Sequence, residues 1–524
     1  MTSLAGVDAV TRPSREFVWG LVRAFVAPVL VLLPTWGAPS LADKRFHIYF
    51  FGETYSEYPG RLLTDRVSEV GQFLDAGNFR PVGRLVEHTL HLFAYQLSVL
   101  MGVPSHIAMA AVSSACVGLL GVGLFVALTC LTSNEPVAAG NPPLVALIGS
   151  VAFPAILIAS GPMSSIVLFT DLYGVTAALV LLLSAAVCRR TWYSTQSLRR
   201  RTMLGAALVG MAVAAFNEAA YAAVPLVMMF AVLRGRLVLG MGWRALWHSA
   251  IARLIGWGLL GFAAVFVPVR LVIRATCSAG PCYNSTDVEL GPDVLPTFVH
   301  RLASAFLTQS LRKAIDFGPV GIVPRDLASA LLLVAFGAVA WRTWRASMLA
   351  PAPHRGGLAA AAIAGLSIVV VAAGISSISR AMQETIARGW PLGNGWRETL
   401  LAAAGVAAIL SAVGCFAILS VQARSRGRII AVVLSVLVVI GAVSIRANAS
   451  WTEVQLRGRE PAVIARMAQE MLIDSENESI RCGLLQQFDA AGRSPGKKKK
   501  LRQALETAYE GRFGRPWCSL RVAS

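Results

Sequence analysis

Two carboxylates, Asp171 and Glu218, lie inside long apolar stretches, and a polar segment between the first two such stretches carries Glu53, Glu57, Asp65, Glu69 and Asp75. Arg80-Pro81-Val82-Gly83-Arg84 follows directly. A carboxylate held at membrane depth costs several kcal/mol unless it is paired or solvated, so its presence points to a site. Acids beside arginines suggest one chemistry. A carboxylate takes the proton from an attacking hydroxyl while guanidinium groups neutralise a departing phosphate.

The arginines are spaced to do this from helices. Arg84, His88, His91 and Tyr95 recur at three- and four-residue intervals, while Val86, Leu90, Phe93 and Leu97 fall largely elsewhere around the wheel. This predicts an amphipathic interfacial helix from Pro81 to Met101, with proline in the first turn, where its missing N–H does no harm. Arg80, Arg84 and His88 then stand at headgroup level, placed to meet a phosphate. Simple anchoring by basic residues accounts for the same pattern. A second amphipathic stretch is predicted over residues 295–315, with His300, Arg301, Gln309, Arg312 and Lys313. Arg270 and Arg274 share a helix face, and Arg380, Arg388 and Arg397 lie in or near a late short loop. Snorkelling to headgroups is the ordinary use of each. Glu87-His88-x-x-His91 has a metal-like spacing, but the sequence offers no third ligand and no metal-type CxxC, so no metal site is expected there.

Composition sets the elements that hold these groups. The 524-residue chain is 56% hydrophobic and 14% charged, which marks an all-α polytopic membrane protein. About eleven apolar stretches near the roughly 20 residues needed to span a bilayer can be counted: 17–36, 105–130, 143–160, 165–188, 203–216, 219–233, 254–273, 327–345, 357–375, 397–421 and 429–446. The pair 203–216 and 219–233 reads as two short spans turning at Asn217-Glu218. The net charge of +19 is spread over short loops such as Arg189 to Arg201 and Arg424 to Arg428. That is an orientation signal, not a nucleic-acid stripe. It places the N-terminus in the cytoplasm and the C-terminus outside, in a bacterial inner or cell membrane if the arginine- and alanine-rich composition reflects a high-GC bacterium. A cleaved leader ending near Ala42 is the rival reading of the first stretch.

The organisation that follows is residues 1–38 as N-terminus and first span, 39–104 as an outer loop, and 105–273 as a membrane core. Residues 274–326 form a second outer loop, 327–446 the later spans, and 447–524 a small outer cap. Cys277, Cys282, Cys482 and Cys518 all fall outside, where they could form two disulfides, most simply 277–282 and 482–518.

Three segments carry a resemblance. Asn78-Phe-Arg-Pro-Val-Gly-Arg-Leu85, followed by Gly102-Val-Pro-Ser-His-Ile107, resembles the first-loop pattern of GT-C membrane glycosyltransferases, above all the polyprenyl-phosphate-mannose-dependent protein O-mannosyltransferases. Ala215-Phe-Asn-Glu-Ala-Ala-Tyr-Ala-Ala-Val-Pro225 is similar to their Ser-Lys-Glu signature, with Asn217 in place of lysine. Glu384-Thr-Ile-Ala-Arg-Gly-Trp-Pro-Leu392 resembles their late Glu-Arg element. The resemblance implies transfer of a sugar from a polyprenyl-phosphate donor, usually with inversion, to a glycan, lipid or protein acceptor outside the membrane. It also implies a base in the first loop. The family's acid pair is missing here, so Glu53 in Phe-Gly-Glu-Thr is the nearest match by position and Asp65 the next. Asp171 and Glu218 would orient the acceptor or loop, and Arg80, Arg84, Arg270 and Arg388 would bind the phosphate. A divalent cation, Mg or Mn, is left open, since family members differ. A polymerase or ligase of undecaprenyl-linked oligosaccharides, a transporter or flippase, and an assembly protein are the competing readings.

Overall fold

Each apolar stretch of the chain contains a helix in the computed structural model, which describes residues 13–41, 43–133, 140–190, 198–278, 282, 287–306, 324–351, 354–474, 477–491 and 495–519. Gln309, Arg312 and Lys313 lie outside the described residues. In chain order the helices are α1 (Arg15–Leu32), α2 (Lys44–Glu57), α3 (Arg61–Ser68), α4 (Val70–Asp75), α5 (Pro81–Met101), α6 (Ser105–Thr132) and α7 (Leu144–Ala155). Next come α8 (Thr170–Arg190), α9 (Arg200–Ala214), α10 (Ala223–Leu233), α11 (Trp243–Trp247), α12 (Ala250–Cys277) and α13 (Val294–Ser304). The rest are α14 (Pro324–Leu349), α15 (Arg355–Ser377), α16 (Arg380–Ala387), α17 (Thr399–Leu419), α18 (Arg426–Arg457), α19 (Arg459–Glu470), α20 (Glu478–Ala490) and α21 (Pro495–Phe513). The described residues contain no strand, only an isolated bridge between Val288 and Ser379.

Among the described residues, 9 helices are long and apolar enough to cross a membrane, so the protein is a polytopic membrane protein. Two of the eleven expected spans are shorter helices. The stretch 143–160 stops being helical after Ala155, one residue beyond Pro154, and its continuation is buried irregular chain. Such backbone survives at depth only when its polar groups find partners inside the protein. Asn448 of α18 supplies them: its side chain accepts from the Ala159 N–H at 2.8 Å and donates to the carbonyls of Val31 and Leu157. The other short helix is α9. The chain turns after it, and Asn217 caps the next helical run by accepting from the Ala220 N–H. That run, Glu218–Val238, is one of the nine.

Contacts between chain ends of helices define two ends of the bundle. At one, Ser14 meets Gly140, and Arg234 donates to the carbonyls of Leu131 and Ser133, countering the C-terminal dipole of α6. The other end carries α2 to α5, α13, α16 and α19 to α21. There α19 to α21 bury Met467, Phe488, Leu505, Tyr509 and Trp517 together with Phe46 and Tyr49 of α2. Bonds join Cys277 to Cys282 and Cys482 to Cys518. The first packs against Gly77, whose φ of +75° and lack of a side chain let the chain turn towards Arg80 beneath the sulfurs.

Candidate functional site

On α2, Lys44, His47, Phe51 and Tyr55 recur at helical spacing and form one face. On α5, Arg84, Glu87, His88, His91 and Tyr95 form another, and all five are buried. The two faces meet. The Phe51 and His88 rings stack at 3.8 Å, and His47 and His91 lie 5.8 Å apart. The sequence expectation for α5 therefore needs correction. Its bounds and first-turn proline hold, but its polar face turns inward, while Phe93, Leu100 and Met101 are exposed on the other side. An inward polar face can be satisfied by protein partners and an outward apolar face by lipid.

Beneath these faces lies Asp171, wholly buried in the first turn of α8. Lys44 makes an ion pair and hydrogen bond to its Oδ1, and His91 Nε2 stands 3.6 Å from its Oδ2. Arg80 stands close enough to act electrostatically on both Glu87 and Arg84. Arg84 itself lies over the Phe73 ring, and burial followed by Arg80 lowers its pKa to about 9. Burial pushes the Glu87 carboxyl up, with Arg80 opposing. Burial also lowers His47 to about 3 and His91 to about 4, so both imidazoles are neutral at neutral pH.

The candidate bases occupy different places. Lys44 and Glu53 are two and a half turns apart, about 180° around α2, so Glu53 faces the cap. There Tyr95 donates to it and Gly511 of α21 packs against its carboxylate. Burial raises the Glu53 pKa, with the Tyr95 hydrogen bond opposing. Tyr95 stands about 16 Å along α5 from Arg84 by helical rise. Asp65 neighbours Arg66 in sequence, and Arg66 donates to Tyr55 at 2.9 Å and pairs with Glu69. Asp65 itself meets only Arg61 among the ion pairs found for it, at 3.9 Å, on the surface of α3.

The first two resembling segments touch. The Val82 N–H donates to the Ala215 carbonyl at 3.1 Å, and a Cβ on Gly83 would collide with the Phe216 carbonyl. Asn217 also donates to Thr176 of α8, five residues beyond Asp171. Glu218 is not part of the Asp171 cluster; it lines a small separate cavity with Trp396, Arg397 and Glu398. Arg270 lies against Tyr221 and Phe266. Arg388 is exposed and pairs with Glu384, away from both. The second outer loop is fixed by Arg301, whose Nε donates to Glu398 at 2.7 Å and whose Nη1 donates to the Asn394 carbonyl. Between α8, α9, α10 and α12 runs an apolar groove of about 490 Å³, with Val213, Ala223 and Phe262 near the Asn217 turn.

Sequence reasoning passed over Lys44 and His47. Lys44-Arg45 looks like an ordinary basic flank of the first span, and the signal available was the shared spacing of Lys44, His47, Phe51 and Tyr55. The missing third partner for Glu87 and His91 is His47: ligand atoms of the three lie within 4.8 Å of one another. No family model matches the chain, and no match was found among curated proteins or solved structures.

Proposed function

We propose that the protein is a GT-C-like membrane glycosyltransferase that moves a sugar from a polyprenyl-phosphate donor to an acceptor on the extracytoplasmic face. The observation that carries this reading is the meeting of Arg80 and Arg84 with Lys44, Glu87 and Asp171 at one end of a helical bundle, beside the 490 Å³ apolar groove. Lys44 is paired with Asp171, and Arg80 and Arg84 stand together near Glu87, two guanidinium groups of the kind that bind phosphate. The prenyl chain would lie in the groove, with its phosphate towards the Asn217 turn.

Geometry favours Asp65 over Glu53 as the base. A base and a phosphate flank one sugar carbon, and the roughly 16 Å of helix between Arg84 and Tyr95 is too long for that. Asp65 is partly exposed on α3, where an acceptor hydroxyl can arrive from water. The positive-inside pattern of the sequence supports an extracytoplasmic position for this end.

The test is mass spectrometry of lipids retained by the full chain in nanodiscs, followed by transfer assays with a panel of polyprenyl-phosphate sugars. A retained polyprenyl monophosphate or its monosaccharide ester, lost in Arg84→Ala, supports the reading. Loss of transfer in Asp65→Asn but not Glu53→Gln supports the base. A polyprenyl-diphosphate oligosaccharide points instead to a polymerase or ligase, and bulk phospholipid alone overturns the donor site.

A further inference from the structure

We infer that His47, Glu87 and His91 form a binding site for a single transition-metal dication of the Zn²⁺ class. Glu87 and His91 are one turn apart on α5, and His47 reaches them from α2, so the three donors come from two helices that already pack together. Their ligand atoms lie within 4.8 Å of one another. Tetrahedral coordination at about 2.0–2.1 Å brings donors to about 3.4 Å, a closure that each side chain reaches by moving less than about 1 Å. His91 is fully buried, and neither of its ring nitrogens has a hydrogen-bond partner among the described residues. Nδ1 of His47 is likewise buried without one. Two orphaned imidazoles facing one carboxylate are what a dication would satisfy.

Asp171 strengthens the assignment. Its Oδ2, also without a hydrogen bond among the described residues, lies 3.6 Å from His91 Nε2. A small ring rotation makes that contact a hydrogen bond, fixes the tautomer and leaves Nδ1 for the ion. Lys44 holds the other oxygen and so orients the carboxylate. The donor set decides the metal: imidazoles select Zn²⁺ and its neighbours, whereas Mg²⁺ prefers oxygen and water. Three protein ligands leave a coordination position open, the pattern of sites that also hold a substrate oxygen. His47 is the partly exposed member of the three, so the ion enters past it.

The binding of the ion stands apart from the transferase reading, because its readout is metal content. The full chain in nanodiscs is stripped with chelator, loaded with Zn²⁺ or Co²⁺, and assayed by elemental analysis and by the Co²⁺ ligand-field spectrum. Wild type takes up one ion per chain. His47→Ala and Glu87→Gln lose it, and Asp171→Asn binds about ten-fold or more weakly. His88→Ala, in the same ring stack, keeps it. Equal uptake in wild type, His47→Ala and Glu87→Gln overturns the site. So does wild type that neither binds Zn²⁺ nor unfolds at a higher temperature in its presence, a reading that needs no variant to fold.

Discussion

Asp171 of α8 holds Lys44 of α2 in an ion pair whose side chains are 0% and 5% exposed. The pair fastens the first outer segment to the membrane core. Removing one member leaves a buried charge alone, which costs about 3–5 kcal/mol, whereas replacing both by apolar residues is often neutral. Lys44→Met and Asp171→Leu are each expected to lower the unfolding temperature sharply, and the double variant to recover most of the loss. Thermal unfolding in detergent measures this. A double variant as unstable as the sum of the singles would show that the pair is not coupled.

The two arginine groups should separate in lipid binding. Arg84 is buried near Arg80 and Glu87, while Arg388 is 77% exposed and paired with Glu384. A polyprenyl phosphate is expected to bind about ten-fold or more weakly to Arg84→Ala, the order of a lost charge-assisted hydrogen bond. Arg388→Ala should bind as wild type does. Native mass spectrometry with added lipid reads both, and equal weakening would place the phosphate elsewhere.

Glu53 gives a pH signature with a definite sign. Burial raises its pKa above the ordinary 4.5, so above pH 4.5 the native state holds more proton than the unfolded chain. Stability from this group is therefore lost as pH rises through the window between 4.5 and the native value. Glu53→Gln removes the charge and keeps the shape. Its stability relative to wild type is expected to increase as pH rises above 4.5 and then level off. Urea unfolding at several pH values tests this, and a gain that shrinks with pH would reverse the sign.

The cap depends on its covalent clasp. Cys482 and Cys518 close 36 residues, worth about 4 kcal/mol in the chain-entropy treatment. Next to the bond, Arg481 Nε donates to the Trp517 carbonyl at 2.8 Å, and Trp517 Nε1 donates back to the Arg481 carbonyl at 3.2 Å. Cys482→Ser is expected to expose α20 and α21 to protease while the membrane helices stay protected. Unchanged digestion would mean that packing on α2 suffices.

Much of this was legible in the chain, and the exceptions have physical reasons. Apolar length located all eleven helical stretches, because burial in lipid or in a bundle makes the same demand of side chains. It overestimated residues 143–160, since hydropathy cannot tell a span from buried irregular backbone that Asn448 satisfies from a distant helix. Periodicity found α5 with its bounds but not its direction. A polar stripe looks alike whether it faces water or protein, and only the partner stripe on α2 decides. Lys44 and His47 were invisible as site residues for that reason. The contact of the first two resembling segments is long-range, so no local pattern could announce it.

That contact makes Gly83 the sharpest single test of how the site is assembled. The α5 backbone approaches the Phe216 carbonyl so closely that any Cβ would collide with it, and Val82 donates to Ala215 in the same place. The obstacle is backbone, not a flexible side-chain end, so Gly83→Ala must push α5 from the Asn217 turn. Gly102, at the other end of α5, is open around its Cβ position but has a φ of +61°. Gly102→Ala therefore costs about 1 kcal/mol of backbone strain without moving the arginines. If the arginine helix must be seated on the Asn217 turn to bind phosphate, Gly83→Ala loses retained polyprenyl lipid and Gly102→Ala keeps it. Retention by both would mean that the phosphate site does not depend on that seat.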